Sequence, residues 1–239
     1  AIRLGGAPEG TGAGAPVKTS AYWATFANGV TSHSNDADDT DAEVLSHPTV
    51  GILGTLLALG ELNKTSGKEW LITYALGMEA MHRLGLATKP RTHHGLGFHA
   101  VGPVTHMGAV LCASRLLGLD ANRTEYALSL GASSSAGIRH QAGSMGKPFH
   151  AGNACRSGVL AGLLAQEGYT AAEDCLEHKL GWGRVFGQEE GDPERAVQGF
   201  GRPWVFEKPG IIIKATPGGT VAGPIVDWLS KLRSREGFT

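Results

Sequence analysis

The segment from Asn28 to Pro48 concentrates ionisable side chains in a chain that is only 18% charged. It reads NGVTSHSNDADDTDAEVLSHP and contains four aspartates, one glutamate and two histidines. Carboxylates and imidazoles held close together can transfer protons or bind a cation. Asp36, Thr40 and His47 are therefore the strongest candidates in this segment for an active site. Asp38, Asp39 and Asp41 are expected to hold the shape of the loop instead.

Metal binding is the first alternative for this acidic segment. An EF-hand loop requires glycine at its sixth position and glutamate at its twelfth. A loop started at Asp36 has Asp41 and His47 at those positions, so the EF-hand pattern fails twice. A helical phosphohydrolase would carry a metal-binding His-Asp dipeptide, and no histidine of this chain is followed by aspartate. A solvated acidic loop remains open as the simplest alternative.

Two histidines are predicted to lie at helix starts. Pro48 restricts the preceding His47 to an extended conformation, which places this imidazole at the beginning of the next helix. The positive end of the helix dipole disfavours a cationic imidazole there. His99 follows Gly-Leu-Gly-Phe and immediately precedes another apolar helix. Its neighbours His93 and His94 are explained equally well as surface histidines of a polar loop.

Two lysines complete the set of candidate residues. Lys147 and His150 occur in KPFHAGNA, at the start of a helix rich in small residues. Free amides at a helix N-terminus, together with a lysine, would bind a carboxylate, although an exposed loop lysine is the plainer interpretation. Lys214 ends the apolar run Ile211–Ile213, a position that is by itself typical of a surface lysine.

Helical patterns dominate the elements that must position these residues. Ser66 and Glu69 form a capping box for a helix through Ala87, and Gly118 predicts a Schellman stop. Glycine, alanine and serine are frequent in the helices predicted near 101–117 and 151–167. Small residues permit close approach, so these two helices are expected to pack on several sides. The remaining predictions are helices at 22–34, 50–62, 101–117, 120–136, 151–167 and 224–232, a second capping box at 170–173, a loop or domain boundary at 181–210, and short strands at 205–206 and 211–213.

Composition excludes several classes of protein. The net charge of −1 gives no electrostatic reason to expect nucleic acid or an anionic membrane as a partner. We find no apolar run long enough for a transmembrane helix and no signal-peptide pattern. The three cysteines are odd in number and lack a CxxC motif, which argues against a disulfide framework or zinc ribbon and favours a reducing, cytoplasmic compartment.

The motifs NGxxxHxxDxDDT, GxH at a helix start, KPFHAGNA and IKxxP occur here in that order. Together they resemble the MmgE/PrpD family, which includes 2-methylcitrate dehydratase, cis-aconitate decarboxylase and iminodisuccinate epimerase. The resemblance covers roughly residues 20–225. It implies a large all-α domain with a smaller α/β lid domain, a homodimer, and no metal or organic cofactor. It also implies an active site lined by Asp36, Thr40, His47, His99, Lys147 and Lys214. We expect the first four of these residues to be catalytic, and the two lysines to bind substrate together with His150.

The resemblance predicts a domain organisation and a reaction class. We expect a flexible N-terminal lead-in at 1–18, a helical core at 19–204, and only the start of a truncated lid at 205–239, since the chain is about half the length of a full member. The expected function is a lyase acting on a small di- or tricarboxylate by proton transfer next to a carboxylate. An epimerase on the same scaffold and a non-catalytic binding domain are the alternatives.

One departure from the family pattern bears on the reaction. The resemblance predicts a polar residue, often histidine, shortly after the lysine of IKxxP. This chain has Gly218 and Gly219 there. The departure weakens the expectation of dehydration or decarboxylation and leaves room for an epimerase, a different lyase or an inactive relative.

Overall fold

Helices form nearly all of the regular structure in the computed structural model, which describes residues 2–15 and 17–237. This confirms the all-α prediction. The α-helices are α1 (Ala21–His33), α2 (Pro48–Leu62), α3 (Gly67–Ala87), α4 (Pro90–Gly95), α5 (His106–Leu116), α6 (Ala121–Ser134), α7 (Gly146–Gln166), α8 (Trp182–Gly187) and α9 (Ala222–Glu236).

Two short antiparallel strand pairs are present, and the second joins distant parts of the chain. β1 (Gly10–Thr11) pairs with β2 (Lys18–Thr19), close to the start of α1. β3 (Asp39–Thr40), inside the acidic segment, pairs with β4 (Ile212–Ile213). The strand predicted at 211–213 is thus confirmed, whereas residues 205–206 lie in a turn. The β3–β4 pair places the residue after β4, which is Lys214, beside the acidic segment.

Helix ends follow several of the predicted signals. The Ser66 hydroxyl accepts a hydrogen bond from the Glu69 amide at 3.2 Å, while the Glu69 carboxylate pairs with Arg115 instead of completing the capping box. Gly118 has φ +67, and the amides of residues 118 and 119 close the Schellman pattern at the end of α5. Asp120 caps α6 by accepting from the Arg123 amide at 2.8 Å.

Three helix predictions need correction. The capping box at 170–173 opens no helix, because Asp174 adopts a left-handed backbone conformation directly after it. α7 begins at Gly146, five residues earlier than predicted, since Pro148 in the first turn has no amide to satisfy. The helix predicted from residue 101 begins with a π-helical turn, Val101–Thr105, which contains Pro103.

α7 lies at the centre of the fold, in contact with α1, α2, α5 and α6. Small residues allow this, as predicted. A Cβ atom on Gly29 of α1 would approach the Ala151 carbonyl to 2.7 Å, and one on Gly152 of α7 would approach the Phe26 carbonyl to 2.7 Å. The backbones of α1 and α7 therefore touch, which fixes the end of α1 relative to the start of α7.

The segment predicted as a loop or boundary, 181–210, packs on the main hydrophobic core. It contains α8, and its side chains Trp182, Phe186 and Val205 are buried with Met78 and Met107. Three free cysteines occur among the described residues; Cys112 and Cys155 are buried. No helix in the described part of the chain is both long and apolar enough to cross a lipid bilayer.

The domain boundaries remain predictions. Part of the predicted N-terminal lead-in pairs as β1 with β2, and the side chain of Asn28 bonds the backbone of Thr11 and Ala13. Residues 1, 16, 238 and 239 of the predicted ranges lie outside the described residues.

A buried ion pair fastens residues 198–205 to α3. The Glu79 carboxylate, which is fully buried, accepts from the amides of Gly201 (2.9 Å) and Val205 (2.7 Å) and from Arg83 (2.7 Å). Arg83 in turn donates to the carbonyls of residues 198, 199 and 203. The segment held by this Glu79–Arg83 clamp, residues 198–205, lies shortly before β4 in the chain. The clamp therefore helps to hold β4 against β3.

We predict that Glu79→Gln lowers the free energy of unfolding by about 3 kcal/mol, because Arg83 loses its buried partner. Glu69→Gln is the matched control on the same helix; its pair with Arg115 is exposed, so we expect a loss below about 1 kcal/mol. Urea unfolding followed by circular dichroism measures both. Equal losses for the two variants would contradict the assigned role of the clamp.

Candidate active site

All seven predicted site residues lie in one connected cluster. The acidic segment supplies Asp36, Thr40 and His47, and the first turn of α7 supplies Lys147 and His150. His99 lies just before the π-helical turn, and Lys214 directly follows β4. Fold contacts described above bring these segments together: α1 against α7, and β3 against β4.

Two lysines converge on one carboxylate oxygen. Oδ1 of Asp36 accepts from Nζ of Lys147 at 2.8 Å and from Nζ of Lys214 at 2.7 Å. Burial opposes ionisation of Asp36, but the bonds and charges of the two lysines outweigh it, so the Asp36 pKa lies below its ordinary value. The backbone of Asp36 has φ +50, a conformation that aspartate tolerates better than most residues. The site therefore has a position where two cations bind one carboxylate.

Asp38 belongs to the site as well, although the sequence favoured a loop-shaping role for it. Its Oδ1 lies 2.5 Å from Nζ of Lys214, and its Oδ2 is hydrogen-bonded to Nδ1 of His33. Burial raises the pKa of Asp38, and the His33 and Lys214 bonds more than compensate, so the net shift is downward. Both Asp38 and Lys214 are only 3% exposed, which makes this a buried ion pair.

Four histidines lie side by side next to these charges. The ring centroid of His33 lies 5.0 Å from that of His47 and 5.7 Å from that of His99. His99 bonds His150 through their Nδ1 atoms at 2.9 Å. His33 was not predicted as a site residue, although it stands inside the NGxxxHxxDxDDT motif as the last residue of α1. The fixed His-x2-Asp-x-Asp spacing was the available signal.

Burial keeps three of these imidazoles neutral. It lowers the pKa of His47 to about 4, even though Asp38 acts in the opposite direction. It also lowers the pKa of His99 to about 2, with a further contribution from neighbouring His33, His150 and His47. The pKa of His150 is lowered by burial too. At neutral pH these groups present lone pairs and N–H donors, not positive charges.

His47 occupies the predicted position as the N-cap of α2. Its backbone is extended, with φ −112 and ψ 90, as Pro48 requires. Its Nδ1 donates to the Asp39 carbonyl at 2.9 Å and lies 3.4 Å from Oγ1 of Thr40. The donated proton fixes the tautomer in which Nε2 carries the lone pair.

Two of the aspartates predicted to hold the loop's shape do so. Asp39 accepts from the amide and hydroxyl of Thr49, and burial raises its pKa. Asp41 is fully buried; it accepts from two amides of its own turn and from Nδ1 of His82 at 2.7 Å. These contacts fix the loop that carries Asp36 and Thr40.

The expected polar residue after Lys214 is replaced in part by Thr220. Its hydroxyl lies 3.0 Å from the hydroxyl of Thr40, and the Gly218 amide donates to the Asp36 carbonyl at 2.9 Å. No local pattern indicates Thr220, because its contact with Thr40 spans 180 residues.

Two other sequence expectations change. The first amides of α7 are not free, since those of Gly146 and Lys147 both donate to Ser144, so the carboxylate-binding capacity of this corner lies in the Lys147 side chain. His93, weighed as a surface histidine, is buried against the Thr88 hydroxyl and lies outside the cluster.

The arrangement combines two kinds of chemistry. Lysine ammonium groups bind carboxylates and stabilise negative charge that develops beside them. Neutral imidazoles within the same cluster can accept or return a proton. Donor atoms of His33, His47 and His99 also lie within 4.8 Å of one another, a geometry that can hold a metal ion.

Known proteins with similar sequences share one activity in their names. The chain is 29% identical over 199 residues to the cis-aconitate decarboxylase of Homo sapiens, covering 82% of this chain and 41% of that protein. The Mus musculus enzyme of the same name is 30% identical over 199 residues, and that of Aspergillus terreus is 30% identical over 193 residues. The chain thus spans about two fifths of the length of the curated relatives it matches.

A family model confirms the resemblance inferred from the motifs. The model of the MmgE/PrpD N-terminal domain matches residues 1–194, which is most of the chain. The match contains the acidic segment, His99 and the KPFHAGNA motif, whereas Lys214 lies beyond it. The chain belongs to the MmgE/PrpD family.

Proposed function

We propose that this chain is the helical part of a lyase that removes carbon dioxide from a small tricarboxylate. cis-Aconitate is the first substrate to test, since the relatives are named for its decarboxylation. The observation that carries the proposal is the convergence of Lys147 and Lys214 on one carboxylate oxygen, directly beside a cluster of neutral histidines.

Substrate binding begins at the two lysines. The Asp36 carboxylate occupies the place where both ammonium groups meet. A substrate carboxylate would bind there either by displacing Asp36 or by sharing the two lysines with it. Asp36 is 26% exposed and Lys147 is 17% exposed, which makes this the accessible end of the charge cluster. Lys214 remains held by Asp38 throughout.

Binding a polyanion changes the protonation of the histidines. Before substrate arrives, Lys147 and Lys214 balance the charges of Asp36 and Asp38, and His47 and His99 add no positive charge. Three substrate carboxylates would leave a large negative charge unbalanced in a largely buried site. Nearby negative charge raises the pKa of an imidazole. The substrate is therefore expected to enter together with a proton that His47 accepts.

The chemical step follows from this arrangement. The carbon–carbon bond to one carboxylate breaks, its electron pair stays on the substrate carbon, and carbon dioxide leaves. The lysines stabilise the charge as it spreads onto a neighbouring carboxylate. The His47 imidazolium then transfers its proton to the carbanion. The trianion plus one proton gives a dianion plus carbon dioxide, and His47 returns to its neutral form.

Epimerisation is the second candidate, favoured by the glycines where the family pattern predicts a polar residue. A neutral His47 can abstract a proton next to a carboxylate and return it to the other face. Proton NMR in deuterium oxide with aconitate, methylcitrate and iminodisuccinate separates the two. Deuterium incorporation at the α-carbon without loss of mass would contradict the lyase proposal and support the epimerase.

Lys147→Ala is predicted to lower kcat/KM for cis-aconitate by at least about 100-fold, because a cation that stabilises the developing negative charge is lost. Lys231→Ala is the control: this lysine is 72% exposed on α9 and, among the described residues, pairs only with Asp227, so kcat/KM should stay within about twofold. Carbon dioxide release measures both. Absence of turnover, with ligand binding unchanged in Lys147→Ala, would favour a non-catalytic role.

The proton that enters with the substrate predicts a pH dependence. The free His47 pKa of about 4 means that few free molecules carry this proton at neutral pH, and fewer as the pH rises. We therefore expect kcat/KM to fall between pH 6 and pH 8. Titration calorimetry at pH 7 in buffers of different ionisation enthalpy should detect uptake of about one proton on binding.

His47→Gln is the variant that tests this assignment. Glutamine keeps a hydrogen-bond donor for the Asp39 carbonyl but does not titrate. Proton uptake and the decline of kcat/KM with pH should both disappear. A decline unchanged in His47→Gln would assign the proton to another group or to the substrate.

A further inference from the structure

Three imidazoles in the site are arranged as metal ligands usually are. His33 bonds the Asp38 carboxylate through Nδ1, His47 bonds the Asp39 carbonyl through Nδ1, and His99 bonds His150 through Nδ1. Metal-bound histidines almost always use one ring nitrogen for such a partner and the other for the metal. In all three residues, the remaining nitrogen is Nε2.

Two of those Nε2 atoms have no partner. Nε2 of His33 and Nε2 of His99 are buried and make no hydrogen bond to the residues that the structure describes. A buried polar atom without a partner is costly, so such atoms are rare unless a ligand or water satisfies them. His47 keeps Nε2 unprotonated, since it is neutral and donates its Nδ1 proton to the Asp39 carbonyl.

The separations are close to those of a zinc site. One donor atom from each of His33, His47 and His99 lies within 4.8 Å of the other two. Nitrogen ligands about 2.0–2.1 Å from a tetrahedral Zn²⁺ are roughly 3.3 Å apart, so these donor atoms must approach one another by at most about 1.5 Å. A second set, His33 with Asp36 and Asp38, satisfies the same distance. Its carboxylates are already paired with Lys147 and Lys214, which makes it the weaker set.

The geometry points to a site for Zn²⁺ or a similar divalent transition metal at His33, His47 and His99, and to inhibition by the metal bound there. Nitrogen ligands suit Zn²⁺ and Co²⁺ better than Mg²⁺ or Ca²⁺. The inhibition rests on the proposed function, because His47 and His99 line the site that the proposed substrate would occupy. Binding itself does not depend on any activity of the chain.

Co²⁺ provides a direct test on the full, tag-free chain. Tetrahedral Co²⁺ gives strong visible absorption bands, whereas hexa-aqua Co²⁺ is nearly colourless. We expect these bands with one equivalent of Co²⁺ and their loss when Zn²⁺ is added. Mg²⁺ should not displace Co²⁺. Absence of the bands, or displacement by Mg²⁺, would overturn the assignment.

Variants locate the metal. His99→Gln and His47→Gln should each weaken Zn²⁺ binding by at least about tenfold in competition with a chromophoric chelator. His140→Gln is the matched control, since His140 is exposed and lies outside the cluster. Circular dichroism confirms that each variant folds; if His99→Gln does not, His47→Gln decides, because His47 is partly exposed. Equal affinity in the cluster and control variants would overturn the site.

Activity separates this inference from the proposed function. If the chain turns over cis-aconitate, Zn²⁺ should inhibit it with the same concentration dependence as Co²⁺ displacement, and a chelator should restore the rate. Co²⁺ bands without any turnover would support the metal site and count against the lyase. Turnover that saturating Zn²⁺ leaves unchanged would overturn the inhibition and leave the lyase proposal standing.

Discussion

The ion pairs of Lys214 with Asp36 and Asp38 are the interaction on which the site depends. Lys214 and Asp38 are almost completely buried, and a buried charge is tolerated only when it is paired and hydrogen-bonded. Lys214 bonds both carboxylates and the Asp36 carbonyl. The acidic segment can keep its aspartates ionised at this depth only if β4 lies against β3, because this strand pair delivers the compensating cation.

Two features of the scaffold keep that arrangement in place. On one side, glycines at the α1–α7 contact let the helices touch, so that Lys147 reaches Asp36 across 111 residues of sequence. On the other side, the Glu79–Arg83 clamp fastens the chain just before β4 to α3. Neither feature contacts a substrate position. Both decide whether the two lysines converge on a single carboxylate oxygen.

The site contains two electrostatic environments next to each other. Lys147 and Lys214 lower the pKa of Asp36, and the bonds from His33 and Lys214 lower the pKa of Asp38, so both carboxylates stay ionised. Burial lowers the pKa values of His47 and His99, which stay neutral. Neighbouring groups whose pKa values are shifted for different reasons are typical of acid–base sites. The same neutrality that prepares these histidines for a proton also prepares them for a transition metal. The proposed catalysis and the proposed zinc inhibition therefore share one physical origin.

Several features that depend on a few adjacent residues, such as helix ends, were predicted correctly from the sequence. Ser66, Gly118 and Asp120 marked helix ends correctly because caps and left-handed stops depend on a few adjacent residues. Pro48 fixed the backbone of His47 in the same way. The motif residues predicted for the site came together as expected. The misread starts of α7 and of the helix before α5 both involved a proline whose place within a first turn depends on packing.

Contacts between distant residues could not be read in this way. His33 and Asp38 belong to the site because they bond each other and because Asp38 pairs with Lys214. Thr220 belongs to it through a contact with Thr40 across 180 residues. A sequence specifies which groups can ionise, but burial and partners decide whether they do. The sequence by itself thus determined the family, the helical class and the set of reactive residues. Only the tertiary structure decided which histidines are neutral, which aspartate meets both lysines, and which residues outside that set complete the site, because these depend on distances and burial that no local pattern encodes.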